Sequence, residues 1–442
     1  MQNLSLQLKD NDKRLSNYGL PDPEENETEL QRALSEYDPH QQTQLLQKLN
    51  SETPNTEQQQ IIFNQVMSAI NHKKTKLYFI QGKGGSGKTT LAKKILAASR
   101  SKDILCVGCA STGLAATNYL NFDTAHGLFK YPVTEDEFDD DEDNQNLSKL
   151  YENPERMELL QQAQVIVWDE FPSNHKSIFE NVYHIMNEFK NKVVICMGDF
   201  RQIAPVIQNG DRQQIVNASI KSSSLWSKFT ILHLTINMRL LQHDSNTEKQ
   251  RRYDDMLMCI GEGKQNIDTD MISWDEQSGE QEYLISNVPL IYNVEDAINI
   301  IYPNGSINPE EARKRAFLAI TNKDVDKWNA EIQNLNPNES ISLFSKDNLC
   351  EVDDPHGILN NMLSKEVLHN FNNNSTPPHE LKLKIGDICI ITRNIAKKQG
   401  LANNSRVIIL NIQKYCIRVI TKHIKNYIFT LIYIIGTIDW SN

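Results

Sequence analysis

Apolar positions in the first half of the chain fall into short unbroken runs, at 76–80, 104–110, 164–168, 191–197 and 230–235. Between them lie longer segments, such as 55–70 and 91–98, whose apolar residues recur at helical spacing. Short unbroken runs read as strands buried on both faces, and the periodic segments as helices. Thr56 stands where a cap for the 55–70 helix belongs. Strands alternating with helices predict an α/β fold with an open parallel sheet, whose ligand sits at the carboxyl ends of the strands. Past Arg239 the pattern changes. A helix over 253–261 with a glycine stop and a strand over 316–320 leading to a helix through Trp328 predict a second α/β unit. Runs at 386–392 and 406–412 read as short antiparallel strands of a small barrel, after an asparagine-rich linker at 369–375. No internal repeat is visible.

Composition changes this picture little. With 442 residues the chain can fold into two or three domains. Residues 1–45 are polar and interrupted by Asn17-Tyr-Gly-Leu-Pro-Asp-Pro23, which suggests a loosely attached leader with one or two helices within 29–49. No run reaches the ~20 apolar residues of a membrane helix, and the start lacks a signal-peptide pattern, so no membrane partner is expected. The net charge of −11 argues against a nucleic-acid partner until its source is located. Eight acidic residues between Glu135 and Asp143 supply most of it, in what reads as a surface insertion at 134–146, and the rest is nearly balanced. Seven scattered cysteines suit a reduced compartment. Cys106 and Cys109 form C-x-x-C, but on a strand that spacing points them to opposite faces, against a metal or redox pair.

The chemistry begins at Gly82-Lys-Gly84-Gly85-Ser86-Gly87-Lys88-Thr89-Thr90, which fits G-x-x-x-x-G-K-[ST] between a strand and a helix. In such a loop the backbone N–H groups of Gly82 to Thr90 curl round a polyphosphate, Lys88 reaches the β- and γ-phosphates, and the Thr89 hydroxyl sits on Mg²⁺. Asp169-Glu170 closes a buried run. An aspartate there holds the metal and the adjacent glutamate polarises the attacking water. Gln202, after the next strand, is placed to sense the γ-phosphate, and Arg239 to stabilise charge on the transferred phosphoryl group. Gln58, just ahead of the phosphate loop, carries an amide that can reach an adenine edge.

The series GKGGSGKTTL (82–91), CASTGLAA (109–116), TAHGLFKYP (124–132), VIVWDEFP (165–172), GDFRQIAPV (198–206), SSLWSKFTILHLTINMRL (223–240) and LAITNKDVDKWN (318–329) resembles the Pif-type DNA helicases of superfamily one, class B. Residues 377–409 continue the match, and NYGLPDP is similar to what precedes the helicase module in rolling-circle transposon proteins of that family. The resemblance implies two RecA-like lobes: 46–236, then a partial second lobe at 237–376 with a small inserted barrel and divergent tail at 377–442. It implies ATP and Mg²⁺, and 5′→3′ movement on single-stranded DNA with unwinding of tailed or structured duplexes. A monomer is implied, acting in the nucleus in repair, recombination and telomere or genome maintenance. By position, Gln58 matches the adenine-reading glutamine. The turn Ser111-Thr112-Gly113 and the segment of His126 and Phe129 match strand-contacting motifs.

Two departures stand out. Gly127 replaces a usual serine, and after Ile412 the Lys-Ser-Gln-Gly-like and Leu-Ser-Arg-like motifs are missing from the sequence. The expectation is a copy truncated at its C-terminus, with ATP binding kept and unwinding weak or absent. The alternative is a non-catalytic remnant that binds only nucleotide or DNA. A small-molecule phosphotransferase lacks any acceptor signature.

Overall fold

The computed structural model describes residues 28–131, 148–207, 210–238, 247–262, 271–274, 281–283, 291–302, 315–319, 321–345, 378–392, 401, 403–413, 416–420 and 427–430. The acidic insertion, the asparagine-rich linker, Asn17 to Pro23 and Arg239 lie outside them. The chain divides into two units, Met1–Asp268 and Thr269–Asn442.

The first unit is built on six strands: β1 (Lys76–Gly82), β2 (Cys106–Ala110), β3 (Asp123–Thr124), β4 (Val165–Asp169), β5 (Val193–Gly198) and β6 (Phe229–Leu234). They pair in parallel in the order β3-β2-β4-β5-β1-β6. The accompanying helices are α1 (Glu29–Ser35), α2 (Pro39–Glu52), α3 (Glu57–Asn71), α4 (Lys88–Arg100), α5 (Gly113–Ala116), α6 (Ala125–Phe129), α7 (Pro154–Gln162), α8 (Lys176–Ile185), α9 (Arg212–Ala218) and α10 (Thr247–Gly261). Parallel sheets are covered on both faces, so their strands are apolar throughout. In β1, Leu77 and Phe79 join one core cluster while Tyr78 and Ile80 join the other. Cys106 and Cys109 divide in the same way, as their spacing predicts, and both are free thiols. Burial pushes the Cys106 thiol up to about 12, which leaves it inert.

Helix starts follow local chemistry. Thr56 caps α3, with Gln59 bonding back in a capping box, and Ile62, Val66, Met67, Ala69 and Ile70 form its buried face. Thr28 caps α1 in the same way. The expectation of a loose leader is corrected for residues 28–45. Glu29 pairs with Arg156 at 2.5 Å, Leu30 and Ala33 pack on the core, and the Tyr37 ring lies 3.6 Å from the Arg100 guanidinium carbon. A polar composition concealed these anchors because each needs a partner far along the chain.

In the second unit, α11 (Val294–Ile301) and α12 (Asn322–Asn334) accompany antiparallel strands. β7 (Met271–Trp274) pairs with β8 (Gln281–Tyr283), and β9 (Ser340–Phe344) with β10 (Glu380–Lys384). β11 (Ile388–Ile390), β12 (Arg406–Gln413), β13 (Cys416–Ile420) and β14 (Tyr427–Thr430) form one antiparallel sheet. The antiparallel strands at 386–392 and 406–412 therefore form, but as an open sheet in which β11 and β14 are the two edges; a closed barrel is not formed among the described residues. The strand expected at 316–320 is irregular over 316–319, because no described neighbour takes its hydrogen bonds. Gln333 and Asn336 reach the Asp387 carboxylate at 2.8 and 2.7 Å, fastening α12 to the turn between β10 and β11. Among the described residues no helix is long and apolar enough to cross a membrane.

A Cβ on Gly108 in β2 would stand 2.0 Å from the Phe122 ring, which stacks on Tyr119 at 4.2 Å. Gly108→Ala is expected to lower stability by about 1–3 kcal/mol, measured as a fall in the midpoint of thermal unfolding. An unchanged midpoint would show that the stack shifts freely.

Candidate active site

Strand register decides which polar residues meet. Gln81 is opposite Gly198, Gly82 opposite Leu234, Trp168 opposite Cys196 and Ala110 opposite Asp169. The residues that follow β1, β2, β4, β5 and β6 therefore emerge along one edge of the sheet.

At that edge the loop after β1 turns into α4. Gly85 and Gly87 adopt φ of 84° and 81°, in the left-handed region that glycine enters without strain. No side chain caps α4, so its first-turn N–H groups stay directed at the loop. With the helix dipole added, this is a built cradle for an anion. The Lys88 ammonium turns onto the Gly82 carbonyl and, at 3.1 Å, the Lys83 carbonyl. Burial lowers its pKa from the ordinary lysine value, and the charges of Asp199 and Asp169 oppose that shift.

The carboxylates come next. Asp169 is 5% exposed and accepts a hydrogen bond from the Tyr119 hydroxyl at 2.7 Å. The Thr89 side chain acts on the same phenol, so the two expected metal-holding residues lie to either side of one hydroxyl. Burial and the neighbouring carboxylate raise the Tyr119 pKa well above its ordinary value, which keeps it a donor. Glu170 stands in the left-handed region at φ 53°. Burial first, then the charge of Asp169, raises its pKa, while the Thr112 hydroxyl, 3.2 Å from its carboxylate, works the other way. Among the described residues no three His, Cys, Asp or Glu side chains gather into a metal cage. Mg²⁺ does not need one, since it keeps waters and takes one or two carboxylates together with phosphate oxygens. Thr89 and Asp169 suit that pattern.

Gln202 is exposed, and a Cβ on Gly84 would lie 3.9 Å from its amide nitrogen, which places it against the phosphate loop. Gln58 bonds Thr235, at the end of β6, through both its amide groups. Its neighbour Gln59, which the sequence did not single out, reaches the Ser86 carbonyl at 3.3 Å inside the phosphate loop. Met238 N–H bonds the Gly85 carbonyl at 2.9 Å, so the chain reaches the loop one residue before Arg239.

The strand-contacting candidates divide. Ser111 donates to the Glu170 carbonyl at 2.6 Å, and Thr112 caps the short α5 that begins at Gly113. These hydroxyls are turned toward the Asp169-Glu170 corner. His126 is half-buried, and burial lowers its pKa, leaving the ring neutral near pH 7. Phe129 is a correction: its ring is fully buried, 5.0 Å from that of Trp168, and belongs to the core. Its aromatic character gave no sign of which way α6 would turn.

Asp199 was also missed. It is 6% exposed, held by Arg201 at 2.8 Å, and its charge is the largest one acting on Lys88. Its position at the end of β5, like that of Asp169 at the end of β4, was the available signal.

Two family models match the chain. One, described as PIF1-like helicase, matches residues 55–271, and one described as the 2B domain of DNA helicase Pif1 matches 366–412. No curated protein matches. Among solved structures, the chain is similar to the Pif1 helicases that coordinate in pairs at forked double-stranded DNA. The identity there is 19%, covering 85% of this chain and 76% of that one, with a TM-score of 0.52. For a Bacteroides Pif1 bound to single-stranded DNA the values are 18%, 85%, 74% and 0.51. For Pif1 of Candida albicans they are 17%, 85%, 78% and 0.51. These likenesses establish a shared fold.

Tyr119→Phe removes the donor to a buried carboxylate. A loss of about 1–3 kcal/mol is expected in urea unfolding; no loss would show that water replaces the phenol at Asp169.

Proposed function

This chain belongs to the PIF1-like helicase family, and on that footing we propose that it couples Mg·ATP hydrolysis to 5′→3′ movement along single-stranded DNA and to duplex unwinding. The observation that carries the ATP half is the uncapped start of α4 meeting Lys88 and the Asp169-Glu170 corner at one sheet edge. The backbone of 82–90 and the Lys88 ammonium hold the phosphates. Thr89 and Asp169 hold Mg²⁺, which would neutralise charge on the phosphates when bound. Glu170 orients the attacking water and accepts its proton; a carboxyl with a raised pKa is the better base. Gln202, against Gly84, registers the terminal phosphate, and Gln58 is assigned to the adenine edge. Arg239 is proposed as the cation that completes the site.

The DNA half is supported by the place of Ser111-Thr112-Gly113. Its hydroxyls bond Glu170 directly, so a strand lying on this turn shifts the group that activates water. His126 is the second proposed strand contact. A monomer is the proposed working unit, on the family likeness. A nuclear site and roles in repair, recombination and telomere maintenance belong to the same proposal and rest on the family likeness.

Phosphate release from ATP by the purified chain is expected to require Mg²⁺ and to rise with single-stranded DNA. Lys88→Ala and Glu170→Gln are expected to lower it by about 10²–10³-fold. Binding of ATP with no phosphate release, with or without DNA, would favour the non-catalytic remnant. Unwinding of a 5′-tailed but not a 3′-tailed duplex tests the direction, and the reverse preference would overturn it.

A further inference from the structure

Two cations beside the phosphate loop have no part in the reading above: Lys83, within the loop, and Arg201, just before Gln202. Both are covered by α10 and the residue after it. Asp254, Met258 and Glu262 recur every fourth residue and so share a face. The Asp254 carboxylate pairs with the Lys83 ammonium, their side chains 14% and 17% exposed, and its second oxygen accepts from Asn237 at 2.9 Å. Arg201 lies 2.9 Å from the Met258 sulfur and 3.4 Å from Glu262, while its Nε holds Asp199 at 2.8 Å. Burial works to raise the Asp254 carboxyl, but its bonds to Lys83 and Asn237 prevail and hold it below the usual carboxylate range.

Of the two cations, Arg201 is committed to Asp199 inside the site, whereas Lys83 is held by a residue from outside the loop. The Lys83 backbone is already part of the cradle, since its carbonyl receives the Lys88 ammonium and the next residue, Gly84, abuts Gln202. A lysine ammonium is a compact charge on a flexible four-carbon stem. Such a group can exchange one anionic partner for another by rotamer change, and a triphosphate offers more negative charge than a single carboxylate does. We propose that Lys83 is a second phosphate-binding lysine, for which Asp254 and the triphosphate compete, so that nucleotide binding releases α10 from the loop. The inference rests on the ATP reading of the site and adds a residue to it.

The test measures the affinity of the full chain for a non-hydrolysable ATP analogue with Mg²⁺, by calorimetry. The variants are Lys83→Gln, Asp254→Asn, which keeps the shape and the Asn237 contact, and the double variant. Lys83→Gln is expected to weaken binding about tenfold and Asp254→Asn to tighten it about three- to tenfold. The double variant should match Lys83→Gln, because the competitor matters only while the lysine is present. Amide exchange across 247–261 should rise when the analogue binds to the wild-type chain. Asp254→Asn that fails to tighten binding, or tightens it equally without Lys83, overturns the proposal. If those variants bind like wild type while Lys88→Ala does not bind, this inference fails and the proposed function stands. A wild-type chain that binds no analogue overturns both.

Discussion

A strand buried on both faces has room for polar side chains only beyond its ends. In the first unit that constraint acts on every central strand, since residues of β1, β2, β4 and β5 contribute to a core on each side of the sheet. Parallel pairing then directs their carboxyl ends the same way. Lys88, Ser111, Asp169, Asp199 and Thr235, far apart in the chain, come to one edge because each is among the first polar residues the sheet permits. The site is thus a by-product of how the core is covered, and the sheet, buried and close-packed, holds its residues rigidly.

Along that edge the polar groups form a connected series. Tyr119 donates to Asp169, Asp169 accepts from the Glu170 N–H, and Thr112 donates to the Glu170 carboxylate, with Thr89 beside the phenol. In a low-dielectric setting such a series is stiff when each member is bonded and costly when one is not. The phosphate loop and the turn after β2 are consequently parts of one network, though 23 positions separate Lys88 from Ser111 in the numbering. The same connectivity joins the turn directly to Glu170.

What could be read beforehand was what depends on neighbours in sequence. The buried runs, the glycine loop with its left-handed residues, and the carboxylate pair at a strand end all announce themselves locally. The opposite-face placement of Cys106 and Cys109 followed from the pleat alone. What escaped depends on partners at long range. Phe129 was assigned to a surface because nothing in α6 shows that Trp168 will cover it. Gln59 and Gln58 are indistinguishable until the turn of α3 points one at Ser86 and the other at Thr235. Asp254, remote from every motif, meets Lys83 only through the docking of α10. The second unit was legible as alternating short strands, but pairing partners, and hence open sheet against barrel, are not a local property.

The anchoring of α1 and of Tyr37 just after it bears on how this protein is handled at the bench. A fragment begun at the first residue of the recognised motifs would leave Arg156 with its charge facing a vanished carboxylate and Arg100 without the ring that covers it. It would also uncover the core beneath Leu30 and Ala33. The smallest piece with an intact first unit therefore starts no later than the Thr28 cap, well upstream of the glycine loop at 82–89.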